Sequence, residues 1–268
     1  ITTCMPSVRQ QLLGLPQLLR IKPVMSWGMS ALLLGFAVAY ARVGAGIDLF
    51  HGGLAVALVV LAQGVVSHGL NDAYDWITGT DKESIGEGTG GSRVIPEGKM
   101  SVFGVVAVSL VGIVLMLGIG YYFIGEYGLP MFVLFLIALW APVGYSVPPF
   151  KMGYRPFNEL VIVLPALVGV VVGADLVLTG SVSRLAIGVG AMHAFYCISW
   201  FIISRIPDYK PDKRVGKITS VVYVGLENSR FLAWGYLTIG QLVGVYLMMA
   251  VSPLFAVTFL PYLVMVWS

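Results

Sequence analysis

Two short acidic clusters each close an apolar helix, NDAYDWITGTDK at residues 71–82 and DYKPDK at residues 208–213. Helical spacing sets Asn71, Asp72 and Asp75 on one face and Asp208 and Asp212 on another, so each helix end offers oxygen donors in one direction. Carboxylates gathered at one cavity mouth repel one another at low effective dielectric, and a bound cation removes that repulsion. Mg²⁺ prefers octahedral oxygen ligands and usually takes one or two carboxylates plus substrate phosphates. Two such clusters facing each other would clamp a metal-bound diphosphate, with Asn71 adding a neutral carbonyl oxygen. Either cluster alone also reads as a solvated helix end; the pair carries the metal reading.

The elements that hold these clusters are membrane helices. With 58% hydrophobic and 11% charged residues, and a mean hydropathy of +0.89, the chain departs far from soluble domains, in which about a quarter of residues are charged. Apolar runs long enough to cross a hydrocarbon core of roughly 30 Å occur at 24–43, 52–70, 102–124, 128–147, 158–178, 185–204, 229–250 and 253–267. The expected fold is an all-α polytopic bundle, a single domain over residues 1–268. The first run has charged and turn-forming residues before it and no cleavage site, and reads as a mature span. The last stops at Ser268 without a polar flank, which leaves open a further C-terminal helix. Cys4 and Cys197 have neither metal nor redox spacing.

Basic residues orient the bundle. With the N-terminus inside, 14 of the 16 Lys and Arg fall on the cytoplasmic side and only Arg42 and Arg184 outside, the asymmetry of the positive-inside rule. Asp48, Glu126 and Asp175 fall outside and the other ten acidic residues inside. Both clusters then follow even-numbered helices and end on the cytoplasmic face, where they can meet across one cavity. The net charge of +3 reports topology, not a nucleic-acid partner.

The loops beside the clusters suit a diphosphate. Gly86, Gly88, Gly90 and Gly91 would free backbone N–H groups for phosphate oxygens, and Arg93 follows. Tyr145, Lys151, Tyr154 and Arg155 lie on the same side, where snorkelling charges and interfacial tyrosines are an equally good account. Gln63, Ser67 and His68 extend the polar stripe of Asn71, Asp72 and Asp75 up the second helix. His68 could bind an acceptor or take its proton, or simply bond a neighbouring helix. His193 stands alone in the sixth run.

These residues resemble a family. The NDxxD stretch with Asp81 after it, the GGSRVI loop, YSVPPFKMGYRPFNEL and the DxxxDKxxGKxT pattern from Asp208 to Thr219 look like the UbiA superfamily of intramembrane prenyltransferases. The GGSRVI loop and the spacing to Asp81, with Gly79 where other branches have an Asp, look closer to the menaquinone branch, the 1,4-dihydroxy-2-naphthoate prenyltransferases and their UBIAD-type relatives. Ser204-Arg205-Ile206-Pro207 departs from that branch.

The resemblance implies eight to nine helices around a central cavity, capped on the cytoplasmic side and open sideways to the bilayer. It implies Mg²⁺ as cofactor and a polyprenyl diphosphate and an aromatic acceptor as partners, in a multi-pass protein of the cell membrane. Asp72, Asp75, Asp208 and Asp212 would be catalytic through the metal, with Asn71 as a further ligand and Asp81 at the rim. Arg93, Tyr145 and Lys151 would hold the diphosphate. His68, Ser67, Tyr196 and Trp200, with Phe201, would line the acceptor cavity. 4-Hydroxybenzoate or geranylgeranylglyceryl phosphate are alternative acceptors. A divalent-cation transporter is the rival class, although it should carry carboxylates at mid-depth. Prenyl length and oligomeric state are not fixed by the chain.

Overall fold

The computed structural model of this chain describes residues 6–44, 46, 48–83 and 91–260. Among them every regular element is helical. The first helix, α1 (Val8–Leu19), starts at Ser7, whose Oγ accepts from the Gln10 N–H while the Gln10 side chain accepts from the Ser7 N–H. This reciprocal cap satisfies two donors that the helix end would otherwise leave open.

Six longer segments are long and apolar enough to cross a membrane: α2 (Ile21–Val43), α3 (Leu49–Thr78), Val102–Ser146, α6 (Glu159–Thr179), α7 (Arg184–Ser204) and α8 (Leu226–Ala250). At 45 residues, Val102–Ser146 would be about 68 Å long if straight, roughly twice the hydrocarbon thickness. Gly128 breaks it, at φ 63° and ψ −142°, a conformation open to glycine and costly for other residues. The two halves, α4 (102–127) and α5 (129–146), fold back on each other so closely that a Cβ at Gly120 would collide with the Phe135 ring.

Seven of the eight expected runs are therefore apolar helices among the described residues, carried by six continuous segments long and apolar enough to cross a membrane. The eighth begins differently, as a 3₁₀ helix at Pro253–Thr258, and residues 261–268 lie outside the described set.

The bundle packs through small residues. α2 lies on α6, α7 on α8 and α3 on α4, and a Cβ at Gly35 would come 2.7 Å from the Val171 carbonyl oxygen. Such close backbone approach is how helices associate where lipid is as apolar as leucine. One buried cluster joins α2, α6, α7 and α8 around Val171 and Ile198, and another joins the helices from α2 through α6 around Phe123 and Met131. Two π-helical stretches, Met25–Met29 and Val60–Ser67, face each other. Gln63 joins them, accepting from the Gly28 N–H at 3.0 Å and donating to the Pro23 carbonyl at 3.1 Å.

This topology brings the start of α2 and the ends of α3, α5 and α7 to one end of the bundle. At the opposite end, Arg42 pairs with the fully buried Asp175 at 2.6 Å, and the Ser183 N–H donates to the same carboxylate.

Candidate active site

A cavity of about 610 Å³ runs from the acidic clusters into the bundle, to Phe123 and Met131 near the far end. Asn71, Asp75, Asp81, Asp208 and Asp212 line its head. The apolar body is walled by residues such as Leu32, Val59, Leu134 and Val170.

The two acidic clusters are joined by a lysine. Lys217 Nζ lies 2.9 Å from Asp75 Oδ2 and 3.7 Å from Asp212 Oδ1, and all three side chains are buried. The turn that delivers Lys217 has Gly216 at φ 72° and a hydrogen bond from the Lys217 N–H to the Asp212 carbonyl. Asp75 also accepts from Asn71 Nδ2 and from the Tyr154 hydroxyl, each at 2.7 Å. The Tyr154 ring lies under the Lys217 ammonium at 4.9 Å.

Asp72 is held from the side of the 91–93 loop. One carboxylate oxygen accepts from the Ser92 N–H and hydroxyl, while Oδ1 is buried without a partner. Gly91, at φ 67°, sits where any Cβ would collide with that oxygen. An orphaned carboxylate oxygen beside the carboxylates of Asp75, Asp81, Asp208 and Asp212 fits a hard cation such as Mg²⁺. Among the described residues no three acidic, histidine or cysteine side chains form a cage by themselves, so substrate phosphates would have to complete the coordination.

Arg205 supplies a second buried cation. It donates to the Tyr145 hydroxyl and stacks 4.1 Å over Phe201, and its Nη1 is buried without a partner. Arg20 and Lys22 line the cavity from the start of α2.

Burial pushes the Asp81 carboxyl up to about 7, aided by the charges of Asp75 and Asp72. Burial raises Asp212 to about 6, against the pull of Lys217 and Arg205. For Lys217 burial acts downward, but Asp75 and Asp212 outweigh it and hold the ammonium above its ordinary range. Burial and the Asp75 charge together raise the Tyr154 phenol.

The structure brings most of the expected residues to this cavity: Asn71, Asp75, Asp81, Asp208, Asp212, Tyr145, Ser67, His68, Trp200 and Phe201 all line it. Asp72 stands directly behind Gly91. Asp81 is 6% exposed and so lies inside the head, not at the rim.

Three expected residues lie away from the wall. Arg93 pairs with Glu97 at 3.5 Å, Lys151 sits over the Tyr74 ring at 5.7 Å, and Tyr196 donates to Gln241 between α7 and α8 at 2.9 Å. His193 is likewise elsewhere, bonded to Ser30. Gly86, Gly88 and Gly90 lie outside the described residues.

Sequence reasoning gave no site role to Arg20, Ser92, Arg205 or Lys217. Of these, Ser92 and Lys217 carried a signal, as the serine of the GGSRVI loop and the lysine of the GKxT stretch after the second cluster.

A family model described as the UbiA prenyltransferase family matches residues 28–268. Among curated protein sequences none matches the chain. A UbiA homologue from Archaeoglobus fulgidus bound to DMAPP and Mg²⁺ is similar at TM-score 0.67 and 22% identity, covering 93% of this chain and 86% of that one. The same homologue bound to GPP and Mg²⁺ gives TM-score 0.67 and 21% identity, over 91% and 84%. A further structure of it gives 0.63 and 20%, over 91% and 83%.

Proposed function

Because the chain belongs to the UbiA prenyltransferase family, as a multi-pass membrane enzyme, we propose that it moves a polyprenyl group from its diphosphate to an aromatic acceptor with Mg²⁺. The acceptor we favour is 1,4-dihydroxy-2-naphthoate, in menaquinone biosynthesis, on the GGSRVI loop and the spacing from Asn71 to Asp81. The observation that carries the reading is Lys217, which joins both acidic clusters at the charged head of an otherwise apolar cavity. Polar head and greasy body match the two ends of a prenyl diphosphate.

Bound Mg²⁺ would neutralise charge growing on the departing diphosphate, held by Asn71, Asp72, Asp75, Asp208 and Asp212, with Asp81 beside them. Lys217, Arg205 and Arg20 point cationic donors at the same head region, and Tyr145 is oriented there by Arg205. As the carbon–oxygen bond breaks, the allylic cation must be kept from water until the ring attacks. The apolar wall excludes water, and Phe201 and Trp200 offer aromatic faces. The distribution of basic residues, 14 of 16 on one side, supports a cytoplasmic orientation of this head in the cell membrane. A cation path is disfavoured, because the acidic residues on the cavity wall stand only at its head and Phe123 and Met131 close the other end.

The test is purified protein with geranylgeranyl diphosphate, 1,4-dihydroxy-2-naphthoate, and either Mg²⁺ or EDTA, with the extract read by mass spectrometry. A Mg²⁺-dependent prenylated and decarboxylated naphthoquinol is expected. Product with 4-hydroxybenzoate or geranylgeranylglyceryl phosphate instead would move the acceptor within the family. No consumption of diphosphate with any acceptor would refute the reading.

A further inference from the structure

His68 stands on α3 one helical turn deeper than Asn71 and Asp72, two turns deeper than Asp75, on the wall of the same cavity. Its ring is committed on one side only. Nδ1 lies 3.1 Å from the carbonyl oxygen of Leu19, the last residue of α1, beside Arg20 in the left-handed conformation at φ 48°. A carbonyl oxygen can only accept, so in the neutral ring the proton sits on Nδ1 and Nε2 carries a lone pair. Among the described residues Nε2 has no hydrogen-bond partner. A backbone carbonyl thus sets the tautomer and presents a bare nitrogen acceptor to the cavity.

The depth of that nitrogen gives it a use. Along the helix, His68 lies about 4.5 Å from Asn71 and about 10.5 Å from Asp75 at 1.5 Å per residue. A diphosphate held at the head by Asn71 and the Asp side chains would run its chain inward past the turn that His68 occupies. Of the other two polar side chains on this stripe, Gln63 is already spent on Gly28 and Pro23, and the short Ser67 lines the same wall.

We propose that His68 Nε2 accepts the hydrogen bond of a hydroxyl on the aromatic acceptor, fixing the ring beside the first carbon of the prenyl chain. The assignment rests on the aromatic-acceptor reading above and adds the atom that would recognise the ring. It makes a free hydroxyl, and not an ether at that position, the group the site selects. Accepting that hydrogen bond also leaves more electron density on the ring that attacks.

Two substitutions separate this role from the contact with Leu19. His68→Asn keeps an amide donor for the Leu19 carbonyl and removes the acceptor at Nε2; His68→Gln restores an oxygen near Nε2. Turnover would be measured with geranylgeranyl diphosphate, Mg²⁺ and either 1,4-dihydroxy-2-naphthoate or its two monomethyl ethers. His68→Asn should raise the KM of the dihydroxy acceptor about tenfold, the worth of one hydrogen bond at a buried site. It should leave the Kd of geranylgeranyl diphosphate within twofold, and should not further penalise the ether that lacks the recognised hydroxyl. His68→Gln should recover most of the loss. An unchanged KM in His68→Asn, or an equal loss for the dihydroxy acceptor and both ethers, overturns the assignment.

Nitrogen-15 spectra of histidine-labelled protein provide a second test that needs no acceptor. The signal missing in His68→Asn should report a proton on Nδ1 and a bare Nε2, and a proton on Nε2 overturns the assignment. If the wild type alkylates neither naphthoate nor 4-hydroxybenzoate, the aromatic-acceptor reading fails, and the nitrogen spectra alone decide the state of His68.

Discussion

Replacing Lys217 by Met tests the junction between the two acidic clusters. The ammonium stands 2.9 Å from Asp75 and 3.7 Å from Asp212. At an effective dielectric of about 20 those separations correspond to attractions of about 6 and about 4.5 kcal/mol. Burial of each ion costs several kcal/mol in return, and removing one partner of such a buried pair typically costs about 3–5 kcal/mol, because the remaining charges are left uncompensated. Here two carboxylates would be left, joined to one another only by repulsion. For a chain of this size, that loss lowers the melting temperature by roughly 10 °C.

The assay is thermal unfolding in detergent, followed by tryptophan fluorescence, for Lys217→Met, Asp75→Asn and the pair combined. The double variant should be more stable than the sum of the single losses allows, with a coupling of about 2 kcal/mol or more. The loss should persist in 1 M salt, since a buried pair is poorly screened. A melting temperature within 2 °C of wild type, or strictly additive losses, would refute the claim that Lys217 holds the clusters together.

Protons should compete with metal at the cavity head. A carboxyl raised to about 7 at Asp81 and about 6 at Asp212 must ionise before it can face a cation, so Mn²⁺ affinity should rise with pH up to about 7 and then level. One competing proton weakens affinity about tenfold per pH unit below that point; paramagnetic titration of wild type and Asp81→Asn checks it, and the same slope in both would discard the role of Asp81. Arg20→Ala should weaken geranylgeranyl diphosphate binding by about ten- to a hundredfold, the range for a hydrogen bond to a charged group. Arg93→Ala should change it less than twofold, and calorimetry showing the reverse order would return Arg93 to the site. Phe123→Ala should open the deep end of the cavity and shift products towards longer prenyl chains, and an unchanged distribution across a series of prenyl diphosphates would move the floor elsewhere.

What could be read in the sequence was whatever one helix arranges by itself. Asn71, Asp72 and Asp75 share a face because of helical spacing, and Asp208 and Asp212 do so likewise, so their approach to one cavity followed from counting spans. The hairpin break was legible as well, since two apolar runs met near Gly128 with only Gly125, Glu126 and Tyr127 between them. Partner choice between elements was not legible. Arg93 and Lys151 had the right charge and the right side, but Glu97 stands four residues from Arg93 and the Tyr74 ring meets Lys151. Tyr196 was placed by its helix, yet Gly240 lets α8 approach its ring and Gln241 takes its hydroxyl.

The same distinction explains the cations that sequence reasoning missed. Arg20, Arg205 and Lys217 are far apart along the chain, and each looks like a basic residue at the end of a span, where snorkelling is the ordinary fate. Only the bundle brings them to one place. The electrostatic argument from the sequence was that clustered carboxylates require positive charge. That requirement holds, and the chain meets part of it from its own side chains: Lys217 between Asp75 and Asp212, and Arg205 against Tyr145. A head region with its own cations needs less metal charge to fold, and the buried, unpartnered Asp72 Oδ1 is then the oxygen left with its coordination unmet. Metal binding should therefore depend more on Asp72 than folding does, whereas Lys217 should matter to both.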